Sequence, residues 1–186
     1  EGGGCCGVAS YVGGRLFLGA RSGAGAAAVL ARAERQQGRP LDLFVEPGRY
    51  LSSDCGWFFA RSVGTKPRAD RLLVGLDTSV VHLPRMLMHP ATASHPWRIL
   101  GRETAPPADL PVWLCGNSTY SRDFLARGAR APVPDPGEIV VFHHAGAYCR
   151  SMFSDFLGKD RPPEIVVDGD AWHAPASRPA AASVPA

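Results

Sequence analysis

Three adjacent glycines, Gly2, Gly3 and Gly4, and the stretch Glu46-Pro47-Gly48-Arg49 are the parts of this sequence whose residue types and spacing suit chemistry. Glycines have no Cβ to block close approach, so their backbone N–H groups can converge on an anion, and phosphate is the natural one. The second stretch follows the apolar run at residues 41–45. A buried strand there would place Glu46 at its carboxyl end, where α/β barrels carry their functional groups, and Pro47-Gly48 would turn the chain so that Arg49 faces the same mouth. A carboxylate can hold a ring nitrogen protonated, and a guanidinium can take phosphate oxygens with paired N–H donors that a lysine lacks. The plainer alternative is an ion pair between Glu46 and Arg49 that braces the turn.

The elements that must position these groups are legible on either side. Ser22 is a suitable N-cap; Ala26, Val29, Leu30 and Ala33 recur at helical spacing, and Gly38 and Pro40 close the pattern, which predicts a helix over residues 23–37. Residues 41–45 then read as a strand buried on both faces, so loop, helix and strand form one step of a barrel or doubly wound sheet. From Trp57 the period changes. WFFARSV, RLLVGLD, PVWLCGN, EIVVFHHAG and PEIVVDGD read as strands joined by Pro- and Gly-rich connections, an all-β pattern. The chain is expected to resume as a strand soon after the Glu-Pro-Gly-Arg turn. The expected division is an α/β part over residues 1–55, a β-rich domain over 56–170, and a Pro-, Ala- and Ser-rich disordered tail over 171–186.

Composition bounds the function classes. The length of 186 residues permits a sizeable core, and a formal charge of +3 is too small to imply a nucleic-acid partner. No apolar run approaches the roughly 20 residues needed to cross a bilayer, so a cytoplasmic protein without a membrane partner is expected. Five cysteines show no C-x-x-C spacing and are read as reduced thiols. His143 and His144 are neighbours at the end of a predicted strand and point to opposite faces, so no metal site is expected.

Phosphate at one end and a protonated heteroaromatic nitrogen at the other describe pyridoxal 5′-phosphate. The order of the GGG loop, the helix, EPGRYL, LD…LPR, DFLA, GAY…SM and RPPEIVVDGD resembles, over about residues 1–170, the C-terminal half of the fold-type III pyridoxal-phosphate decarboxylases, the diaminopimelate and ornithine decarboxylase family. The resemblance implies the last strands of an alanine racemase-like (β/α)8 barrel followed by a β-rich domain. It implies that Gly2, Gly3, Gly4, Gly48, Arg49 and Tyr148 bind the cofactor, mostly at its phosphate, and that Glu46 pairs with the pyridine nitrogen. Arg85 falls where relatives carry an arginine for a substrate carboxylate; read from the residues alone it is equally well a solvated charge.

Departures from the family pattern are equally informative. Thr119 and Tyr120 stand where the family has the cysteine and glutamate of C-E-S-G-D, so the usual thiol proton donor is replaced by a weaker acid. Cys115, four residues upstream, is the nearest thiol, and His144 replaces an acid in the D-A-G-A-Y pattern. The family's cofactor-binding lysine lies ahead of the glycine loop. The lysines present are Lys66, which reads as a turn residue, and Lys159, so the longer parent rather than this segment is the expected catalyst. The implied parent is a homodimeric amino-acid decarboxylase. A racemase of the same fold type and a non-catalytic dimerisation or regulatory module are the alternatives.

Overall fold

A computed structural model describes residues 9–12, 15–18, 23–45, 48–88 and 94–175. Gly2, Gly3, Gly4 and Glu46 lie outside the described residues.

The first part of the chain is α/β. Strands β1 (Ala9–Val12) and β2 (Arg15–Leu18) pair antiparallel, with Val12 opposite Arg15. Helix α1 (Gly23–Gln37) then carries the chain to β3 (Asp42–Val45), which lies parallel to β2. The helix spans the predicted residues because its interior is rich in alanine, the residue least penalised in a helix. It stops at Gly38, whose φ of +66° admits the left-handed cap and whose N–H reaches the Glu34 carbonyl at 2.8 Å. The β1–β2 hairpin was not expected from the sequence; only Gly13 and Gly14 separate its strands, and a two-glycine connection is a hairpin signal in its own right.

Between the Glu-Pro-Gly-Arg stretch and the expected strand, which begins at Phe58, the chain makes one element that the sequence did not announce. It is a short helix, α2 (Gly48–Ser52), closed by the Ser53 N–H on the Arg49 carbonyl at 2.9 Å. A proline just ahead of a helix costs little, because the first helical N–H groups have no intrahelical acceptor and proline's fixed φ already suits the turn.

A six-stranded sheet follows, in the order β6 (Trp97–Ile99), β9 (Ile139–Phe142), β4 (Phe58–Arg68), β5 (Arg71–Leu76), β7 (Val112–Cys115) and β8 (Phe124–Ala129). Only β5 and β7 run parallel. The long β4 binds two partners in succession: Phe58 to Arg61 pair with β9, and from Ser62 onward it pairs with β5. A register shift between Ser62 and Gly64 marks the change, and such a bulge bends a strand and raises its twist. Alternation along β4 sends Ala60 and Ser62 inward, with 4% and 1% exposure, and leaves Phe59 and Val63 more than half exposed. Ala60, Val74, Leu76, Leu83, Val112, Leu114, Leu125, Val140, Phe142 and Cys149 form the core.

Two further expectations are corrected. Lys66 lies within β4 opposite Leu73, not in a turn. Ala171–His173, placed in the tail from their composition, form strand β11 and pair antiparallel with β10 (Val166–Asp168). The cross-strand partners Val167 and Trp172 supply the local apolar contact that a composition count does not see.

Candidate functional site

The junction between the two parts of the chain is stitched by backbone. Residues 52–56, at and beyond the end of α2, run beside residues 143–148, after β9. The Ala145 N–H donates to the Gly56 carbonyl at 2.9 Å and the Gly146 N–H to the Ser53 carbonyl at 3.0 Å. Glycine is required on both sides of this seam: a Cβ on Gly56 would lie 2.5 Å from Gly146 N, and one on Gly146 would lie 2.0 Å from the Ser52 carbonyl oxygen.

That seam sets Tyr148 against Gly48. Tyr148 adopts a left-handed φ of +60°, and its phenol oxygen would be 2.4 Å from a Cβ on Gly48. A glycine at the first residue of α2 thus lets the phenol sit where it does. Arg49, next in the helix, donates from Nη2 to Ser53 Oγ at 3.2 Å, and Ser53 Oγ donates in turn to the His144 carbonyl at 3.4 Å. Gly48, Arg49 and Tyr148, more than 90 residues apart in part, thus meet at one corner. His144, also left-handed with φ +58°, pairs through Nδ1 with the Asp54 carboxylate and closes the outer side of the seam.

Arg85 approaches from a different element. β5 ends at a buried turn in which Ser79 and His82 cap each other reciprocally, and Pro84 leads into α3 (Arg85–Met88). His82 Nε2 faces the Asp160 carbonyl at 3.1 Å and Nδ1 faces Thr78 Oγ1 at 2.6 Å, so the proton sits on Nε2. Burial holds this imidazole's pKa below the ordinary histidine range, although the Asp160 carbonyl opposes the shift. Arg85 Nη1 donates to the Ser94 carbonyl at 3.3 Å. Its charge and that of Arg49 are both felt at Cys149, whose thiol is pushed up by burial and partly pulled back by the two guanidiniums. Arg49, Arg85 and Cys149 are therefore close enough to interact.

Thr119 stands on a separate loop. It is exposed, between β7 and β8, and the loop is organised from beneath by Asp123. This carboxylate, 4% exposed, accepts from Val80 N at 2.7 Å, from Ser118 N at 2.9 Å and from Ser118 Oγ. Gly116 packs so tightly on it that a Cβ there would lie 2.1 Å from Oδ1. Asp123 opens the D-F-L-A stretch, and the sequence signal for its role is an acid that follows a glycine and a serine within one short loop, a pattern in which the side chain can tie local N–H groups. Cys115 is not poised to replace the missing thiol of the loop, because burial and then the Asp123 carboxylate push its pKa up. Beside Tyr120 an apolar cavity of about 240 Å³ is lined by Val81, Leu87, Tyr120, Ser154 and Phe156. Neither lysine approaches the corner: Lys159 Nζ donates to Asn117 Oδ1 at 2.7 Å.

Residues 27–146 match the family described as pyridoxal-dependent decarboxylase, C-terminal sheet domain. The chain belongs to this decarboxylase family. The cofactor of the family is pyridoxal phosphate. Among curated relatives, diaminopimelate decarboxylase of Deinococcus radiodurans is 37% identical over 136 residues, covering 70% of this chain and 33% of the relative. The probable chloroplastic diaminopimelate decarboxylase of Oryza sativa subsp. japonica is 35% identical over 133 residues, 71% of this chain and 26% of the relative. The chain thus spans about a third or less of the curated relatives it matches. Among solved structures, a diaminopimelate decarboxylase from M. jannaschii in complex with L-lysine superposes with a TM-score of 0.67 at 18% identity, over 88% of this chain and 36% of that one. That likeness bears on the fold, and it carries the expected order of an α/β part followed by a β-rich domain. No helix of the described residues is long and apolar enough to cross a membrane.

Proposed function

We propose that this chain is the C-terminal segment of a diaminopimelate decarboxylase-like enzyme, in which the α/β part completes a (β/α)8 barrel and the junction of the two parts holds pyridoxal 5′-phosphate. The observation that carries this reading is the apposition of Tyr148 on Gly48 beside Arg49. It gathers a phenol, a backbone free of side chain and a guanidinium at the start of one helix, a set of donors suited to a phosphate ester. The residues present fit the cofactor's phosphate in their chemistry: a guanidinium and a phenol, both hydrogen-bond donors, lie beside a glycine whose lack of a Cβ keeps the phenol in place.

When bound, the cofactor supplies a conjugated ring that accepts the electron pair released as an amino-acid carboxylate leaves as CO2. The chain's own residues do the rest. Arg49 takes phosphate oxygens with paired N–H donors, Tyr148 donates its hydroxyl proton to another, and Gly2, Gly3 and Gly4 add backbone N–H groups to the same ester. Glu46 accepts a hydrogen bond from the ring nitrogen and keeps it protonated, which favours the electron-rich transition state over the ground state. Arg85 orients a distal carboxylate of a substrate such as diaminopimelate. Thr119 holds the position of the family's proton donor with a hydroxyl, and the parent assembles as a homodimer in the cytoplasm.

The test is Glu46→Ala in the full-length parent. Loss of the cofactor's visible absorbance maximum together with CO2 release supports the reading; unchanged absorbance and turnover would remove Glu46 from the reaction. Thr119 in place of a thiol favours one competing reading, a racemase of the same fold type. CO2 release from labelled substrate separates the two, because a racemase inverts its substrate without releasing any.

A further inference from the structure

His95 is a buried polar side chain to which the reading above gives no task. It lies just ahead of β6 with 2% of its surface exposed. Nδ1 is 3.0 Å from the His143 carbonyl oxygen, and since a carbonyl can only accept, the proton is on Nδ1. A second proton on the ring is disfavoured, first by burial and then by the Arg85 and Arg49 guanidiniums and His144, against the pull of the His143 carbonyl. The ring is thus a neutral imidazole with a bare Nε2, and this atom is buried without a hydrogen-bond partner among the described residues. A buried acceptor left unmatched is costly, so its retention calls for a reason.

Arg85 supplies the complementary group. Its Nε–H is likewise buried without a hydrogen-bond partner among the described residues, while its Nη1 donates to the carbonyl of Ser94, the residue before His95. A donor in search of an acceptor and an acceptor in search of a donor therefore sit on side chains that already interact electrostatically. Cys149, the other group that feels both guanidiniums, has its thiol committed to the Ala147 carbonyl at 3.6 Å.

We propose that His95 is a positioning residue for Arg85: its Nε2 is joined to the Arg85 Nε–H through one water molecule, which accepts from Nε–H and donates to Nε2, and this turns the paired Nη edge of the guanidinium toward a substrate carboxylate. The proposal rests on the reading of Arg85 as the carboxylate-binding arginine. The geometry of the guanidinium makes the division of labour natural. With Nε–H held through the water on His95 and one Nη1–H on Ser94, the remaining N–H groups form the fork that matches two carboxylate oxygens. A neutral acceptor also suits the task better than a carboxylate in its place, which would fix the same plane but cancel the charge that the substrate needs.

Two readouts on the full-length, cofactor-loaded parent test this. In the first, ¹⁵N NMR of histidine-labelled protein is expected to show His95 protonated at Nδ1 and bare at Nε2 at neutral pH, with the Nε2 resonance moving in Arg85→Met while Nδ1 stays. A doubly protonated ring, the opposite tautomer, or an Nε2 resonance indifferent to Arg85→Met overturns the proposal. In the second, steady-state kinetics with diaminopimelate compare two variants. His95→Asn keeps a donor for the His143 carbonyl but ends short of Nε2; His95→Gln can present an acceptor near Nε2. The expectation is a KM raised at least tenfold in His95→Asn with kcat little changed, and a KM within about threefold of wild type in His95→Gln. Equal impairment of both, or none in His95→Asn, overturns the acceptor role. An unchanged KM in Arg85→Met would instead remove the underlying carboxylate reading, while the NMR result would still report whether His95 and Arg85 are joined.

Discussion

Tyr148 and Gly48 occupy one volume between them: the phenol oxygen of the first stands where a methyl group on the second would have to go, 2.4 Å from its position. A side chain at position 48 would therefore displace the phenol, although the two residues lie 100 positions apart in the chain.

The first prediction concerns this pair. Gly48→Ala forces the phenol away, and overpacking of this kind typically costs about 1–3 kcal/mol. In the full-length parent the variant is also expected to bind pyridoxal phosphate about tenfold more weakly, because the displaced phenol no longer donates to the charged phosphate, a hydrogen bond of about 1.5 kcal/mol or more. Combining it with Tyr148→Phe removes the clashing oxygen, so the double variant is expected to lose less than the sum of the two single losses. Cofactor titrations followed by absorbance give all four corners of the cycle. Strictly additive losses would show that the contact has no part in binding.

A second prediction concerns the Thr119 loop. Asp123 is buried and accepts from two backbone N–H groups and a hydroxyl, so Asp123→Ala leaves those donors without an acceptor. Hydrogen bonds to a charged group contribute about 1.5–3 kcal/mol each, and they act here as one network, so a destabilisation of about 3 kcal/mol or more is expected. Urea unfolding of the full-length parent measures it. Asp123→Asn, which keeps an acceptor oxygen, is expected to recover part of the loss. Equal stability of Asp123→Ala and wild type would mean that the loop is held by something else.

Acid sensitivity follows from two histidines. His82 and His95 each hold a single ring proton in the folded chain, and burial lowers the pKa of both from the reference value of 6.5. Between the unfolded and the folded value the unfolded chain binds more protons, so stability rises with pH across that window. The contribution is complete above about pH 6.5 and is lost as the pH falls toward the depressed folded values. Unfolding free energies at about pH 7 and about pH 5 are expected to differ in that direction, and His82→Gln is expected to flatten the slope. A slope unchanged by that substitution would exclude His82 as a source.

Much of the architecture was legible because it rests on local rules. The Ala-rich run closed by Gly38 gave helix α1 its limits, and the alternation in FFARS and the apolar runs RLLVGL, VWLC and IVVF located β4, β5, β7 and β9. Helix α2 was missed because five residues carry too little period to register, and its start depends on a proline that reads equally well as a strand-ending turn. Strands β6, β8 and β11 were missed because their pairing partners, not their own composition, make them strands. At the candidate site, Gly48, Arg49 and Tyr148 could be named from motifs. His95 could not: its isolation, its tautomer and its relation to Arg85 are consequences of how β6 and residues 143–148 pack.

The central claim is that Arg49 and its neighbours at the junction grip a cofactor phosphate. The most direct measurement is the dissociation constant of pyridoxal phosphate in the full-length parent carrying Arg49→Ala, with thermal unfolding of the cofactor-free protein as the control for folding. Losing a charge-assisted pair of hydrogen bonds, about 1.5–3 kcal/mol, predicts affinity weakened by at least tenfold with the unfolding temperature little changed. An affinity equal to wild type in a folded variant would contradict the account.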